Sequence, residues 1–475
     1  MSDELNTNQL AQTPPPSSGK STLKIPHTDI ETAEQFVGKY KRTLYYVHAW
    51  KSWVRWDGLR WAKDDDEGAV RMAMSLAADY KAEAKRLGTE KGEAHFKASV
   101  KLARGKAIRE MLTLGRSLVP RKSEDFDADP NLLNTPLGTV MLSSGGYYTN
   151  LEDDYISRMT NAGYDGVPSE CPTWLKFLHT VTGGNTNLMD FIQRAVGYSL
   201  TGQTKERVAF VLHGEGRNGK STFLETIQAA MGDYATTASS NLIMAGRDEK
   251  TYNDLAALRG VRFVAASENK RGKAVDTGIF KLITGNEKVS ARFLYGEWFT
   301  FKPQFKLWLA TNHLPEIEAD DQAVWDRMRL IPFTVRIPDD QVDDQLGKKL
   351  EAELPGILRW AIEGATIWYR DGLGTSDAVK IAAENWRHDA DLLGQWVSEA
   401  CEVGALTAYR TGALYESFRT FAKSTAPASF NMRLNEFVDA MQRKGYKRVM
   451  KTGNRSFLEG IALRQGNPET GNDEF

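Results

Sequence analysis

The sequence predicts an α/β protein built around a parallel sheet, with further domains on either side of it. Three observations lead there. Between Glu206 and Val335 four short apolar runs, RVAFVLHG, GVRFVAAS, FKLWLATN and RLIPFTV, alternate with helical patterns, which is the signature of parallel strands joined by crossover helices. The first run leads into a glycine-rich turn, GEGRNGKS, and then into a helix. A chain of 475 residues also exceeds what a single hydrophobic core organises, so several domains are expected.

Composition narrows the function classes. Hydrophobic residues at 41% and charged residues at 26% are ordinary for a globular protein with a large interior. Lys and Arg number 61 against 62 Asp and Glu, so a general polyanion binder is excluded and any nucleic-acid surface must come from local clustering. Cys171 and Cys401 lie far apart without C-x-x-C spacing, which argues against a disulfide scaffold or zinc knuckle and points to a reducing, cytoplasmic setting. His48, His179 and His313 show no ligand spacing either. No apolar run approaches the roughly 18 residues of a membrane span, and the polar start MSDELNTNQLAQ lacks a signal-peptide core, so neither membrane insertion nor export is expected.

Along the chain, residues 1–27 with TPPPSSGKST read as a disordered tail. YYVHAWKSWVRWDGLRWAKDDD then alternates aromatic and polar residues around Asp57-Gly58, predicting a hairpin with a two-residue turn. Trp50, Trp53, Trp56 and Trp61 there are expected to form a small core rather than a stacking platform. The acidic run from Asp64 to Glu67 is expected to be solvated rather than metal-binding. Helical spacing from Gly68 to about Leu118 predicts two helices, NLLNTPLGTVML a short strand and turn, and the stretch from Cys171 to Gly202 further helices separated by glycine breaks.

Chemistry concentrates in the turn. Gly214, Glu215, Gly216, Arg217, Asn218, Gly219, Lys220 and Ser221, followed by Thr222, match G-x-x-x-x-G-K-[ST] between a strand and a helix. Glycines allow backbone N–H groups to wrap a phosphate, and the helix N-terminus adds partial positive charge. Lys220 can neutralise β/γ oxygens and Ser221 can hold Mg2+, so the turn is expected to bind ATP.

Hydrolysis needs an acid on a neighbouring strand, and Glu268 ends the run VRFVAASE. Taken alone, such a carboxylate is equally at home as a solvated loop residue. Asn312, ending FKLWLATN, offers an amide to the γ-phosphate or the attacking water, although Asn ahead of a Pro-containing loop is also a common turn former. Arg327 and Arg329 in WDRMRLIPF could reach a neighbouring copy's nucleotide, the alternative being a surface pairing with Asp320, Asp321 or Asp326.

The ordered set GEGRNGKST, FVAASEN, KLITGNEKVSARFLYGEWFTFKPQFK, LWLATNHLP and WDRMRLIPF resembles a superfamily 3 helicase core. With WVRWDGLRW, CPTWLKFL and FIQRAVGYSLTGQTKE upstream, the chain is most similar to the phage/plasmid and poxvirus-type primase-helicases, over about residues 40 to 465. The resemblance implies an AAA+-like P-loop ATPase core, an α+β N-terminal collar domain and a small C-terminal winged-helix-like domain. Boundaries follow: tail 1–27, collar 28–200, ATPase core 201–345, helical connection 346–395, winged-helix-like domain 396–465 and tail 466–475. It implies a hexameric ring that translocates on single-stranded or forked DNA. Lys220 and Ser221 take the Walker A positions, Glu268 the Walker B acid, Asn312 the sensor and Arg327 the finger supplied in trans, with Arg329 in reserve. Between acid and sensor the resemblance places a hairpin centred on Ala291 to Glu297, whose Arg292, Phe293 and Tyr295 would touch DNA; aromatic packing on the protein body is the alternative there. The chain departs from the family pattern at Asn286-Glu287, where Gly-Asp is frequent.

The C-terminal segment reads as helix, helix and hairpin, with TGNRS as the turn. Arg433, Arg443, Lys444, Lys447, Arg448, Lys451 and Arg455 make it the clearest basic cluster, suited to phosphate contacts or else simply a solvated face. With about 40 mostly polar residues ahead of the collar, primer synthesis by this chain alone is not expected, and a separate primase or polymerase is the implied partner. A small-metabolite kinase or an ATP-gated origin-binding module are the rival readings. The kinase should ignore DNA, and the binding module should tolerate loss of Glu268.

Overall fold

The computed structural model describes residues 23–244, 250–268, 273–294, 296–317, 321–425, 432–451 and 455–464. They form two compact units, one from residues 23–126 with Glu152–Ser157, the other from Asp127–Leu151 with Arg158 onward. Residues 127–151 and 158–200, expected within the collar, thus pack with the second unit.

In the first unit, a capping box starts helix Asp29–Lys39: Thr28 Oγ1 accepts from the Glu31 amide at 3.1 Å while the Glu31 carboxylate accepts from the Thr28 amide. A four-stranded sheet runs in the order Trp61–Lys63, Ser52–Trp56, Leu44–Val47, Pro120–Arg121. The hairpin is present, but Trp56 pairs with Trp61, so four residues rather than two make the turn. Asp57 explains the difference, because its Oδ1 accepts from the amides of both Leu59 and Arg60 at 2.8 Å and satisfies a longer loop. Trp53 and Trp61 are buried and Trp50 and Trp56 half-buried, with Trp61 stacked on Tyr155 at 5.9 Å.

Asp65, Asp66 and Glu67 are exposed, as expected of the acidic run, whereas Asp64 is half-buried. Asp64 pairs with Arg55 at 3.1 Å and caps the next helix through the Gly68 and Ala69 amides, while Asp66 holds Arg55 and Arg71. Three helices, Gly68–Leu87, Thr89–Leu102 and Gly105–Leu118, replace the expected two. Gly88, at φ +81°, provides the break that periodicity alone does not reveal.

The second unit opens with an antiparallel sheet of Leu132–Thr135, Gly138–Met141 and Gly146–Tyr148, then helices Pro172–Val181 and Thr186–Leu200. The central elements follow: β1 (Ala209–His213), α1 (Lys220–Met231), β2 (Ala235–Thr237), β3 (Phe263–Glu268), α2 (Thr277–Thr284), β4 (Lys306–Thr311) and β5 (Met328–Pro332). They form one parallel sheet in the order β5-β1-β4-β3-β2. Two-residue periodicity divides its side chains. Phe210, Leu212, Ala265, Trp308 and Ile331 enter one core, while Val211, Val264, Leu307, Leu309 and Leu330 enter the other. Trp308 anchors the first against Phe210, Phe223 and Phe263 with centroids at 4.3, 5.6 and 5.4 Å, and its indole N–H donates to Ser199 Oγ.

Two cations are buried at the start of β3 and β4. Lys306 Nζ donates to the carbonyls of Thr201, Gln203 and Gln304, and Arg262 Nη1 to Leu200 O at 2.8 Å. These carbonyls include the negative end of helix Thr186–Leu200, which substitutes for water around the charges. Burial pushes the Lys306 amine well below its ordinary pKa.

Farther along, helices Leu354–Asp371, Asp377–Ala390 and Leu392–Ala400 precede a sheet ordered Cys401–Arg410, Arg455–Leu463, Arg448–Lys451. Helix, helix and hairpin come in the expected order over Thr411–Thr425, Leu434–Arg443 and the last two strands, with strand Cys401–Arg410 as an unanticipated addition. Trp396, Phe418, Phe437, Met441, Leu458 and Ile461 fill its core. No described helix is long and apolar enough to cross a membrane.

Candidate functional site

In a parallel sheet flanked by helices, functional groups collect at the carboxyl ends of the strands. β1 ends at His213 and passes through the turn Gly214–Gly219 into α1. A Cβ on Gly214 would lie 2.0 Å from both Asn218 Nδ2 and Phe333 O, and Gly219 adopts φ +83° against Val181 and Phe177, so neither position accepts a side chain. Arg217 holds the left-handed region at φ +50° and is braced from outside by an ion pair with Asp339 and by its carbonyl accepting from the Ile337 amide at 2.9 Å. Asn218 Nδ2 donates to Phe333 O at 2.7 Å. The segment that follows β5 therefore fixes the curvature of the turn.

Lys220, 6% exposed, directs Nζ back into the turn, donating to Gly214 O at 2.7 Å, Asn218 Oδ1 at 2.9 Å and Asn312 Oδ1 at 3.0 Å. All three acceptors are neutral. Burial lowers its pKa, and burial followed by the Lys220 charge lowers that of His213 beside it. Positive potential without a carboxylate partner, inside a glycine cradle and at a helix N-terminus, is matched to an anion such as a triphosphate. Glu215 and Ser221 are exposed and Thr222 half-buried at the start of α1.

Glu268 is the last residue of β3 and lies opposite Thr311, next to Asn312 at the end of β4. The three sequence-predicted groups Lys220, Glu268 and Asn312 thus come from adjacent strand ends. Glu268 is 5% exposed, and its Oε2 accepts from Ser240 Oγ at 2.8 Å and pairs with Lys273 Nζ at 3.0 Å. Ser240 and Lys273 escaped the sequence reading. Ser240 follows the three-residue strand β2, which has no apolar run to announce it, and Lys273 belongs to a segment without periodicity.

Arg327 lies elsewhere. Its carbonyl accepts from the Ala209 amide at 2.8 Å, so it sits beside the first residue of β1, at the end of the strands opposite the turn. Its Nη1 donates to Lys281 O at 2.7 Å and Thr284 Oγ1 at 3.1 Å, not to an aspartate. Asp321 pairs instead with Lys281 at 2.7 Å, and Asp320 lies outside the described residues. Arg329 Nη1 donates to Asp326 O and Met328 O, and burial lowers its pKa.

An antiparallel ribbon, Val289–Ala291 with Phe299–Phe301, stands where the hairpin was expected. Arg292 lies over the Trp298 ring at 5.0 Å, and Phe293, Leu294 and Trp298 are exposed. Tyr295 lies outside the described residues. In the C-terminal cluster, Arg443, Lys444, Lys447 and Arg448 are all exposed within six positions. Lys444 pairs with Asp391 at 2.6 Å and Arg448 Nε donates to Ser456 Oγ at 2.9 Å. Among the described residues no group of His, Cys, Asp and Glu is arranged to hold a metal ion by itself.

Residues 33–183 match a family described as "D5 N terminal like", and residues 212–328 a family of unknown function, DUF5906. The chain is 29% identical over 341 residues to "Putative helicase L207/L206" of Acanthamoeba polyphaga mimivirus, covering 66% of this chain and 35% of that protein. Similarly described proteins match in Frog virus 3 (31% over 150 residues, 30% of this chain and 15% of the relative) and Invertebrate iridescent virus 6 (24% over 380 residues, 68% and 39%). The chain thus spans well under half the length of these relatives. Its fold is like the apo structure of the NrS-1 C-terminal region, with TM-score 0.51 at 10% identity over 92% of this chain and all of that one. These matches support the resemblance to the phage and viral superfamily 3 primase-helicases.

Proposed function

We propose that the chain is an ATP-driven DNA helicase motor that works as a homo-hexameric ring, with ATP cleaved at the seams between identical copies. One observation carries this reading: Lys220, Glu268 and Asn312 converge at one end of the sheet, while Arg327 lies at the other. β1 is five residues long, so at about 3.3 Å per residue the two ends are roughly 13–16 Å apart, beyond the reach of one arginine side chain. Arg327 therefore suits a neighbour's nucleotide and not its own, which is the geometry of a head-to-tail ring.

In this reading the turn Gly214–Gly219 holds the phosphates through its amides, Lys220 neutralises the β/γ oxygens, and Asn312 orients the attacking water. Glu268, whose Oε2 pairs with Lys273, takes the water's proton. Mg2+ held by Ser221 and Glu268 would supply charge neutralisation at the phosphates. Arg292 and Phe293 on the ribbon, with Tyr295, grip one strand by backbone charge and stacking, and Arg443, Lys444, Lys447 and Arg448 on a winged-helix-like C-terminal domain add phosphate contacts. The viral relatives, described as putative helicases, and the P-loop chemistry of the turn support DNA and ATP as ligands; the cytoplasm of an infected host and a separate primase or polymerase partner are part of the same proposal.

The test is ATPase rate with and without single-stranded DNA, unwinding of a forked duplex, and solution mass with nucleotide. A DNA-stimulated ATPase that unwinds forks and assembles near six copies is expected. A monomer whose ATPase ignores DNA would contradict the proposal.

A further inference from the structure

We infer that Thr284 is a positioning residue for Arg327, an inference that rests on the hydrolysis at subunit seams proposed above. Helix α2 ends at Thr284, and its last-turn carbonyls carry the negative end of the helix dipole. One of them, Lys281 O, accepts from Arg327 Nη1 at 2.7 Å. Thr284 Oγ1 donates its own proton to Phe280 O at 2.6 Å, which turns its lone pairs toward the same Nη1 at 3.1 Å. The hydroxyl orientation is thereby fixed, and the guanidinium is held by one nitrogen.

Among the described residues Nε and Nη2 of Arg327 make no hydrogen bond, and the side chain is half-buried. One corner of the planar fork is anchored while the other nitrogens stay available to a phosphoryl group outside the protomer. Asp321, the cap of the short helix before Arg327, is tied to the same helix through Lys281 at 2.7 Å, so backbone and side chain are referenced to one rigid element. Such an arrangement holds an arginine ready in advance, rather than ordering a flexible side chain at each turnover.

Helix α2 has two further connections. Just ahead of it, Lys273 pairs with Glu268 at 3.0 Å, and just beyond it, residues 285–288 lead into the ribbon. One short helix thus lies between the acid of its own site, the arginine meant for the next site and the element meant for DNA. Thr284 sits where the last two part.

The test uses the full chain with Arg327→Ala, Thr284→Val and Thr284→Ser, each assayed for DNA-stimulated ATPase and thermal midpoint. Val keeps the shape of Thr but cannot accept from Arg327, whereas Ser can. Arg327→Ala is expected to lower kcat by at least about 100-fold. Thr284→Val is expected to lower kcat about 10-fold with KM for ATP within about twofold, and Thr284→Ser to restore it, because a loosened arginine weakens only the transition state of the neighbour's site. If Thr284→Val does not fold, Thr284→Ala carries the same expectation. An inactive Arg327→Ala beside a Thr284→Val enzyme of normal kcat, or one whose loss lies in KM or thermal midpoint alone, overturns the role of Thr284 and leaves the seam proposal standing. Full activity in Arg327→Ala overturns both.

Discussion

Lys220 Nζ lies 3.0 Å from Asn312 Oδ1, joining the turn after β1 to the tip of β4. This contact ties the group that would neutralise phosphate to the one that would orient water. Asn312→Ala is expected to leave ATP affinity within about fivefold while lowering kcat by roughly 100- to 1,000-fold, the cost of losing one preorganised polar group at a reacting centre. Lys220→Ala should instead abolish nucleotide binding. Equilibrium binding of a fluorescent ATP analogue, set beside steady-state turnover, separates the two.

Ser240 and Lys273 both hold Glu268 at Oε2. Glu268→Gln keeps the shape and loses the base, so ATP should bind while turnover falls by about 100-fold or more. Fork unwinding should vanish with it. Unwinding that survives in Glu268→Gln would remove this carboxylate from the chemistry.

The turn and the strand tips were legible in the sequence because their determinants are local: glycines where a Cβ would collide, a lysine after them, and acid or amide closing an apolar run. Features set by distant partners were not. Asp57 lengthened a hairpin turn through two amides that its own strand pattern does not show. β2, only Ala-Thr-Thr, is a strand because β3 lies beside it. The burial of Lys306 and Arg262 depends on the carbonyls at the end of helix Thr186–Leu200, which no local pattern around either residue announces. The anchoring of Arg327 by Lys281 O and Thr284 joins residues more than 40 positions apart, with no spacing rule to signal it. The separation of residues 127–151 from the segment before them follows from which core they fill, which periodicity does not encode.

Lys306 gives the fold a pH signature. Its folded pKa is depressed by burial, whereas the unfolded side chain titrates near 10.4, so in the window below that value the unfolded chain binds more protons. Stability contributed by this site therefore rises with pH across that window, by up to about 1.4 kcal/mol per pH unit. Urea unfolding of the wild type and Lys306→Met at pH 7.5 and 9.5 checks it. The wild type should gain relative to the variant at the higher pH, and a constant or shrinking difference would mean that the ammonium stays charged among its carbonyls.

Both thiols are buried, and burial raises Cys171 to about 11 and Cys401 to about 12. The thiolate is the reactive species, so neither should react with Ellman's reagent in the native protein at pH 8, and both should react after denaturation. Fast native labelling would show that one of these cores opens readily.

The central claim is that each hydrolytic site is completed by a second copy, and mixing two inactive variants tests it most directly. Lys220→Ala keeps Arg327 and loses the phosphate site, while Arg327→Ala keeps the phosphate site and loses the arginine. Co-assembled in equal amounts, they should regain DNA-stimulated ATPase toward about a quarter of the wild-type rate, because that share of head-to-tail seams pairs an intact turn with an intact arginine. No recovery in assemblies shown to contain both variants would contradict the account.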